Sequence, residues 1–354
     1  MAAELIRHSV EFGVESHVGI FDNAGKGDRQ ILDVARPFLA GSVIVPCASQ
    51  FDFATIRAIA RYVRHHRIDV VHSHKYKTTF HALLARRTQT FALISTYHNW
   101  LRDTRALKLY AVVDKLLARF CDAAIGVSAP VSQELLRFVP AERVFHIENG
   151  VDCERYRPPA SRLAAQQALG LGLGARPVVG FVGRLTAQKG VNDLIDAMSI
   201  VQRSAPADVL IVGDGEERTS LEKHAAAVSF GDRIHFLGAR SDTPALYAAM
   251  DLLVLPSSVE AFPMVVLEAM ACEVPTIGTP VGDVPRIITL ETGWICPQGQ
   301  PTVLATTVSK ALSDPTELQS MGKLARAHVT GNFSAQRMAQ RYVERYTAAC
   351  EKPV

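Results

Sequence analysis

Short β-branched runs alternate with longer amphipathic stretches along almost the whole chain, and the alternation restarts once. Runs of that length bounded by turn residues suit buried strands, and apolar residues at helical spacing suit the helices that cover them. Repeated strand–helix units favour parallel sheets, because a parallel connection needs a crossover long enough to hold a helix. In the first series, strands are expected at 14–21, 42–45, 68–73, 92–97, 123–127 and 144–147, with helices such as 53–67 and 104–120 between them. Asn149-Gly150 breaks the pattern, and Tyr156 to Pro159 followed by Gly170, Gly172 and Gly174 reads as a linker. The second series places strands at 178–183, 209–212, 234–237, 252–255 and 275–278. Its helices fall at 191–203, 216–228, 243–250 and 263–272, and everything beyond Thr302 reads as helical.

At roughly 100–200 residues per domain, this length suits two domains. The expected division is 1–155, a linker at 156–177, a second domain at 178–335, and a terminal helix at 336–354 that crosses back to the first. Two doubly wound α/β domains facing across a cleft, strand C-terminal ends toward it, is the economical architecture. One feature departs from that pattern. A doubly wound domain opens on a strand whose following turn approaches phosphate or substrate, yet this sequence opens on a helical stretch, 2–12. The first domain is therefore expected to lack its first strand, and either to fill that slot another way or to leave it open.

Composition narrows the function. Lys and Arg number 38 against 35 Asp and Glu, and a net charge of +3 argues against nucleic-acid binding by bulk electrostatics. Hydrophobic residues make up 48%, too many for a disordered chain. The six cysteines lie at least 24 residues apart, so no zinc-binding spacing occurs, and dispersed thiols fit the reducing cytoplasm. Charges interrupt the first twelve residues where a secretory signal would be apolar. With no run of 18 apolar residues, any membrane contact is expected to be peripheral.

Two constellations carry chemistry. In Glu260-Ala-Phe-Pro-Met-Val-Val-Leu-Glu268, Pro263 suits the first turn of a helix and leaves the Met264 and Val265 N–H groups at its N-terminus, an anion site. Glu260 then sits in the loop before the helix. Glu268 lies a turn and a half inside, where a carboxylate can accept two vicinal hydroxyls; a solvated helix face is the alternative. The second is Gly183-Arg184-Leu185-Thr186-Ala187-Gln188-Lys189-Gly190. Two cations around a tight loop suit a diphosphate, Arg as a bidentate donor and Lys as a point charge. A charged surface turn is the plain alternative.

The ordered set resembles a known group. Val182-Gly-Arg-Leu-x-x-x-Lys-Gly190, Val212-Gly-Asp-Gly215, Phe236-Leu-Gly238 and the Glu260/Glu268 pair are similar to the retaining glycosyltransferases of family 4. Asp69-Val-Val-His-Ser-His74, Tyr97-His98, Val127-Ser128 and Asn149-Gly-Val-Asp152 extend the resemblance through the first half. It implies the GT-B fold and transfer of a sugar from a UDP- or GDP-sugar donor to a hydroxyl of a saccharide or lipid-linked acceptor. Arg184 and Lys189 would hold the donor diphosphate and stabilise the departing charge. Glu260 would contact the transferred sugar, Glu268 the ribose, and Met264 and Val265 the phosphates. Gly183 would line the donor site, and backbone around Leu237 and Gly238 would meet the base. His98 would lie beside the sugar or acceptor. Ala261 stands where the family commonly has Gly, and Asp283 and Arg286 stand where it often has Gly and Glu. The family's first strand and its Gly-Gly loop have no counterpart here.

No Asp-x-Asp occurs in the chain, so the carboxylate pair that holds a divalent ion on donor phosphates in another glycosyltransferase class is missing. Metal-independent transfer without a cofactor is expected. The stretch 100–120 combines an apolar stripe (Leu109, Val112, Val113, Leu116, Leu117, Phe120) with Arg102, Arg105, Lys108, Lys115 and Arg119. Such a helix either lies on an anionic inner membrane face or packs its stripe into the core and solvates its basic flank. Two other functions stay open, a sugar-nucleotide epimerase on the same fold and a non-catalytic homologue that binds nucleotide or a partner.

Overall fold

The computed structural model describes residues 1–351 except 23–29, 48, 50–51, 99, 101–104, 171 and 174–175. Of the residues singled out above, Gly174, Arg102 and Thr104, with the side chains of Arg105 and Lys108, lie outside the described set. The chain forms two compact units, Met1–Gly150 with Ala335–Val354, and Val151–Ser334.

The first unit runs α1 (Ala2–Ser9), β1 (Ser16–Asp22), α2 (Gln30–Ala35), β2 (Leu39–Pro46), α3 (Phe53–His66), β3 (Val70–Ser73), α4 (Tyr76–Ala85), β4 (Ala92–Tyr97), α5 (Arg105–Ala118), β5 (Ala123–Gly126), α6 (Ala129–Leu135) and β6 (Val144–His146). Among the described residues its strands form two parallel sheets, the pair β1–β2 and the four-stranded β3-β4-β5-β6. In a doubly wound order the first strand sits between the second and the fourth, which here is between β1 and β3. No described strand takes that place. The chain opens instead on α1, whose Leu5 is buried with Ile94 and Ile125 of the sheet.

Alternation in β4 divides the interior of this unit. Ile94 faces Leu5 and Tyr342, while Leu93 faces Val63, Ala82 and Ala85 from α3 and α4. Local chemistry sets the helix starts. The Asp52 carboxylate accepts the Ala54 and Thr55 N–H groups ahead of α3, and the Ser128 hydroxyl accepts from Val131 ahead of α6.

The second unit runs α7 (Arg162–Ala168), β7 (Val178–Val182), α8 (Val191–Val201), β8 (Asp208–Val212), α9 (Arg218–Ala227), β9 (Ile234–Gly238), α10 (Thr243–Ala248), β10 (Leu252–Leu255), α11 (Met264–Ala271), β11 (Thr276–Gly278), α12 (Val284–Ile287), β12 (Gly293–Ile295), α13 (Pro301–Ser313) and α14 (Pro315–Asn332). All six strands are parallel, in the order β12-β11-β10-β7-β8-β9. That is the doubly wound order with its switch point between β7 and β10, where crossovers leave in opposite directions. Phe181, Leu194, Ile195, Met198, Val209 and Ile211 are fully buried in its core, each stabilising by about 2 kcal/mol.

The segment 156–177 is not the linker expected from its glycines. It carries α7, whose Gln166 side chain donates to the Ala249 carbonyl at 3.0 Å and whose Arg162 pairs with Asp251 at 3.3 Å, so it is part of the second unit. The last helix, α15 (Ala335–Cys350), packs on the first unit beside α1. Its Met338, Ala339 and Tyr342 complete the cluster around Ile94, and Arg341 pairs with Glu148 and donates to the His146 carbonyl at 2.8 Å. Among the described residues, no helix is long and apolar enough to cross a membrane.

Candidate functional site

In an open parallel sheet, ligands settle outside the strand C-termini at the switch point, because the two loops there part and leave a crevice. In the second unit those loops are 183–190 after β7 and 256–263 after β10. Hydrogen bonds bring them together. The Ser258 N–H donates to the Gln188 carbonyl at 2.8 Å, and Lys189 Nζ lies 2.5 Å from Glu260 Oε1. Gly190 is required at this meeting point. Its φ is +64°, and a Cβ there would stand 2.3 Å from the Pro256 carbonyl oxygen. Gly213, at φ +139°, packs against the Gly183 carbonyl, where a Cβ would approach to 1.8 Å.

The two cations of the first loop differ in setting. Lys189 is mostly covered and committed to Glu260, whose side chain is 10% exposed. Arg184 is 79% exposed and lies 3.9 Å from Glu216, a solvated pair worth little. Arg184 can therefore swing onto a ligand, while Lys189 is held in place by the residue opposite it. Above them α11 starts one residue later than expected, with Pro263 as the N-cap. Met264 and Val265 are its first two helical residues, and their N–H groups have no acceptor within the helix.

Glu268, inside α11, is not a solvated face residue. Tyr247 Oη donates to its Oε2 at 2.9 Å, Tyr156 supplies a second phenol hydrogen bond, and burial pushes its carboxyl up from the ordinary value. Tyr156 is itself held by Thr243, 3.0 Å from its Oη. Sequence reasoning missed both tyrosines, since Tyr247 lies 21 positions before the carboxylate it holds and Tyr156 falls in the segment taken for a linker. Leu237 and Gly238 end β9, two strands from β7 and so about 10 Å across the sheet. The Gly238 carbonyl already accepts the Gly213 N–H at 2.8 Å, so one of its two lone pairs is taken. Gly183 donates its N–H to Val212 at 3.0 Å and continues the β7–β8 ladder past the strand end.

His98 belongs to the first unit, one residue past β4. Its ring stacks on His74 with centroids 5.9 Å apart, and His74 in turn lies 4.3 Å from His72. Burial holds His98 neutral, pushing it down to about 4. The second unit thus gathers Gly183, Arg184, Lys189, Glu260, Met264, Val265 and Glu268 around its switch point, with Leu237 and Gly238 farther along the same sheet edge. His98 stands in the first.

The 100–120 stripe is only partly open to solvent, since Val113 and Leu117 are half-buried. Leu109, Val112, Leu116 and Phe120 are 62%, 45%, 50% and 63% exposed. Lys115 does not join a basic flank. It is buried, paired with Glu134, and sits 4.6 Å above the Trp100 ring.

Comparisons with known proteins cover both units. Residues 171–328 match the family described as glycosyl transferases group 1, and residues 1–155 match glycosyltransferase family 4. The D-inositol 3-phosphate glycosyltransferase of Salinispora arenicola is 30% identical over 327 residues, which span 84% of this chain and 72% of that protein. The N-acetyl-α-D-glucosaminyl L-malate synthase of Bacillus anthracis is 27% identical over 301 residues, spanning 82% and 78%. Among solved structures, Anabaena HepE in complex with UDP is similar in fold, with a TM-score of 0.83 at 22% identity over 98% of this chain and 96% of that one.

Proposed function

Because the chain belongs to the family 4 glycosyltransferases of group 1, with their GT-B fold of two Rossmann-like domains, we propose that it moves a sugar from a nucleoside diphosphate donor to an acceptor hydroxyl with retention of configuration. One observation carries the donor assignment. At the switch point of the second unit, the loop that carries Arg184 and Lys189 meets, through the Lys189–Glu260 pair, the loop that leads into the N-terminus of α11. Cations, free backbone N–H groups and a helix N-terminus together suit a diphosphate.

In this reading Arg184 and Lys189 neutralise the departing diphosphate, and the Met264 and Val265 amides share its oxygens. Gly183 lets the backbone approach. Glu260 orients Lys189 and accepts from the sugar hydroxyls. Glu268, steadied by Tyr247, accepts from the ribose, and the backbone at Leu237 and Gly238 meets the base. His98 serves the sugar or acceptor. The bond from the sugar's anomeric carbon to the donor phosphate oxygen breaks as the acceptor oxygen bonds on the same face. The acceptor proton passes to the leaving phosphate, so no protein general base is assigned. UDP is the first nucleotide to try, since HepE was solved with UDP and with UDP-glucose; GDP is the second. The acceptor class is a saccharide or lipid-linked saccharide.

Two protein cations do the neutralising that a divalent ion does elsewhere, so transfer is proposed to be metal-independent. The test incubates the purified chain with UDP- and GDP-sugars and a panel of saccharide and lipid-linked acceptors in excess chelator, and reads the product's anomeric configuration by NMR. A retained linkage formed in chelator is expected. Activity lost in chelator and restored by a divalent ion would overturn metal independence, and an inverted product would overturn retention. An epimerised sugar nucleotide made without acceptor would replace transfer by epimerisation.

We also propose that α5 lays its exposed stripe on an anionic membrane at the cytoplasmic face. Leu109, Val112 and Leu116 on one face of α5, and Phe120 in the turn after it, are open to solvent, and Arg119 in that turn is exposed. An exposed apolar strip with a cation beside it suits the boundary between headgroups and acyl chains.

A further inference from the structure

We propose that His74 is a positioning residue that sets the ring of His98, as the middle member of a column of three imidazoles anchored at His72. The inference rests on the reading that His98 serves the sugar or acceptor.

The column follows from strand register. His72 pairs with Ile94 in the β3–β4 ladder, so period-2 alternation puts His72, His74, Thr96 and His98 on one face of the sheet. At the inner end, His72 is fixed through both ring nitrogens. Nδ1 is 2.8 Å from Tyr346 Oη and Nε2 is 2.7 Å from Thr96 Oγ1. Thr96 is held in turn by Tyr342, 3.0 Å away, so α15 clamps the base of the column. At the outer end, neither His74 nor His98 has a ring hydrogen bond to the described residues. Ring contacts, tilted at the first pair and stacked at the second, are therefore what orients them. His74 lies 4.3 Å from the fixed ring of His72 at 36°, and His98 lies 5.9 Å from His74 at 24°.

This arrangement differs from ordinary core packing. A ring held only by stacking is constrained in tilt while both its nitrogens stay available, which suits a group that must donate to or accept from a sugar hydroxyl. A hydrogen-bonded histidine would have spent one nitrogen on its own support, as His72 has. Burial keeps His74 and His98 neutral, with repulsion from the N-terminal ammonium and then Lys75 adding to it at both and from His98 at His74, so each ring offers one donor and one acceptor. Phe at 74 would keep the stack without the nitrogens; Ala would remove it.

The test compares wild type with His74→Ala, His74→Phe, His98→Ala and the double variant His74→Ala/His98→Ala. Turnover is followed as nucleoside diphosphate released from UDP-glucose and from GDP-mannose with the acceptor panel present. His98→Ala is expected to lower kcat by about 100-fold, in the range for loss of one positioned hydrogen-bond partner of the reacting sugar. His74→Ala should lower kcat by about tenfold with little change in donor KM, His74→Phe should restore most of it, and His74→Ala should add nothing once His98 is gone. An independent reading comes from NMR of the histidine rings, with His98 assigned by its loss in His98→Ala. Its ring-current shift should persist in His74→Phe and move toward the free-imidazole position in His74→Ala.

Unchanged turnover in His98→Ala would remove the reading on which the inference rests. A collapse in His98→Ala with full additivity of His74→Ala, or with no effect of it, would overturn the positioning role alone. So would His98 ring signals that ignore His74→Ala, whether or not either donor is turned over.

Discussion

At the scale of single residues, much of the chemistry depends on groups kept in one charge state by burial. Burial, with repulsion from His98, pushes His74 down to about 3, and burial pushes His98 down to about 4. In the unfolded chain both take up protons near pH 6.5. Between about pH 6.5 and those lowered values the unfolded chain binds more protons than the folded one, so stability rises with pH across that window. The full contribution is present above about pH 6.5 and is lost as pH falls toward 4 and below. The melting temperature should drop steeply between about pH 7 and pH 4.5, and His74→Phe should flatten the drop, because one titrating ring is gone while the stack remains. Equal slopes in a thermal melt series would count against this. Glu268 is a buried acid of the opposite kind. Its neighbours Tyr247 and Tyr156 hydrogen-bond the carboxylate, and so oppose the burial that raises its pKa.

At the scale of elements, the account divides between what repeats along the chain and what needs a neighbour. Strands β4 and β10 were legible because every residue in them is buried and apolar or small. Strand β12 was not, being three residues long, with Trp294 half-buried and Ile295 exposed. Helix α7 was hidden by the glycines around it and by polar residues, Arg162 and Gln166, that look solvated in sequence yet dock on the second unit. Helix α5 was ambiguous in sequence, since its apolar spacing fits a buried stripe as well as the partly exposed one observed. That exposure predicts sedimentation of the protein with anionic phosphatidylglycerol vesicles. Leu116→Glu with Phe120→Glu should reduce it at least several-fold, because two charges would enter the apolar face. No binding by wild type, or equal binding by the variant, would refute the membrane reading. Dimerisation that the same substitutions abolish would assign the stripe to a second copy instead.

At the scale of the whole molecule, two parallel α/β units and a family resemblance along their length could be read from ordered motifs before any coordinates. The Arg184–Lys189 and Glu260–Glu268 motifs were legible because each is contiguous in sequence. Their approach to one another depends on the strand order, which puts β7 beside β10 although α8, β8, α9, β9 and α10 lie between them in the chain. Sequence spacing does not encode that adjacency. The opening helix was legible as well; the grouping of the described strands of the first unit into β1–β2 and β3–β6 required the register. The central claim is that the switch point of the second unit holds a nucleoside diphosphate. Isothermal titration of UDP and of GDP into wild type and into Lys189→Ala tests it most directly. Wild type is expected to bind one nucleotide saturably, and the variant at least about tenfold more weakly through loss of a charge-assisted contact. Binding of neither nucleotide, or equal affinity in both proteins, would contradict it.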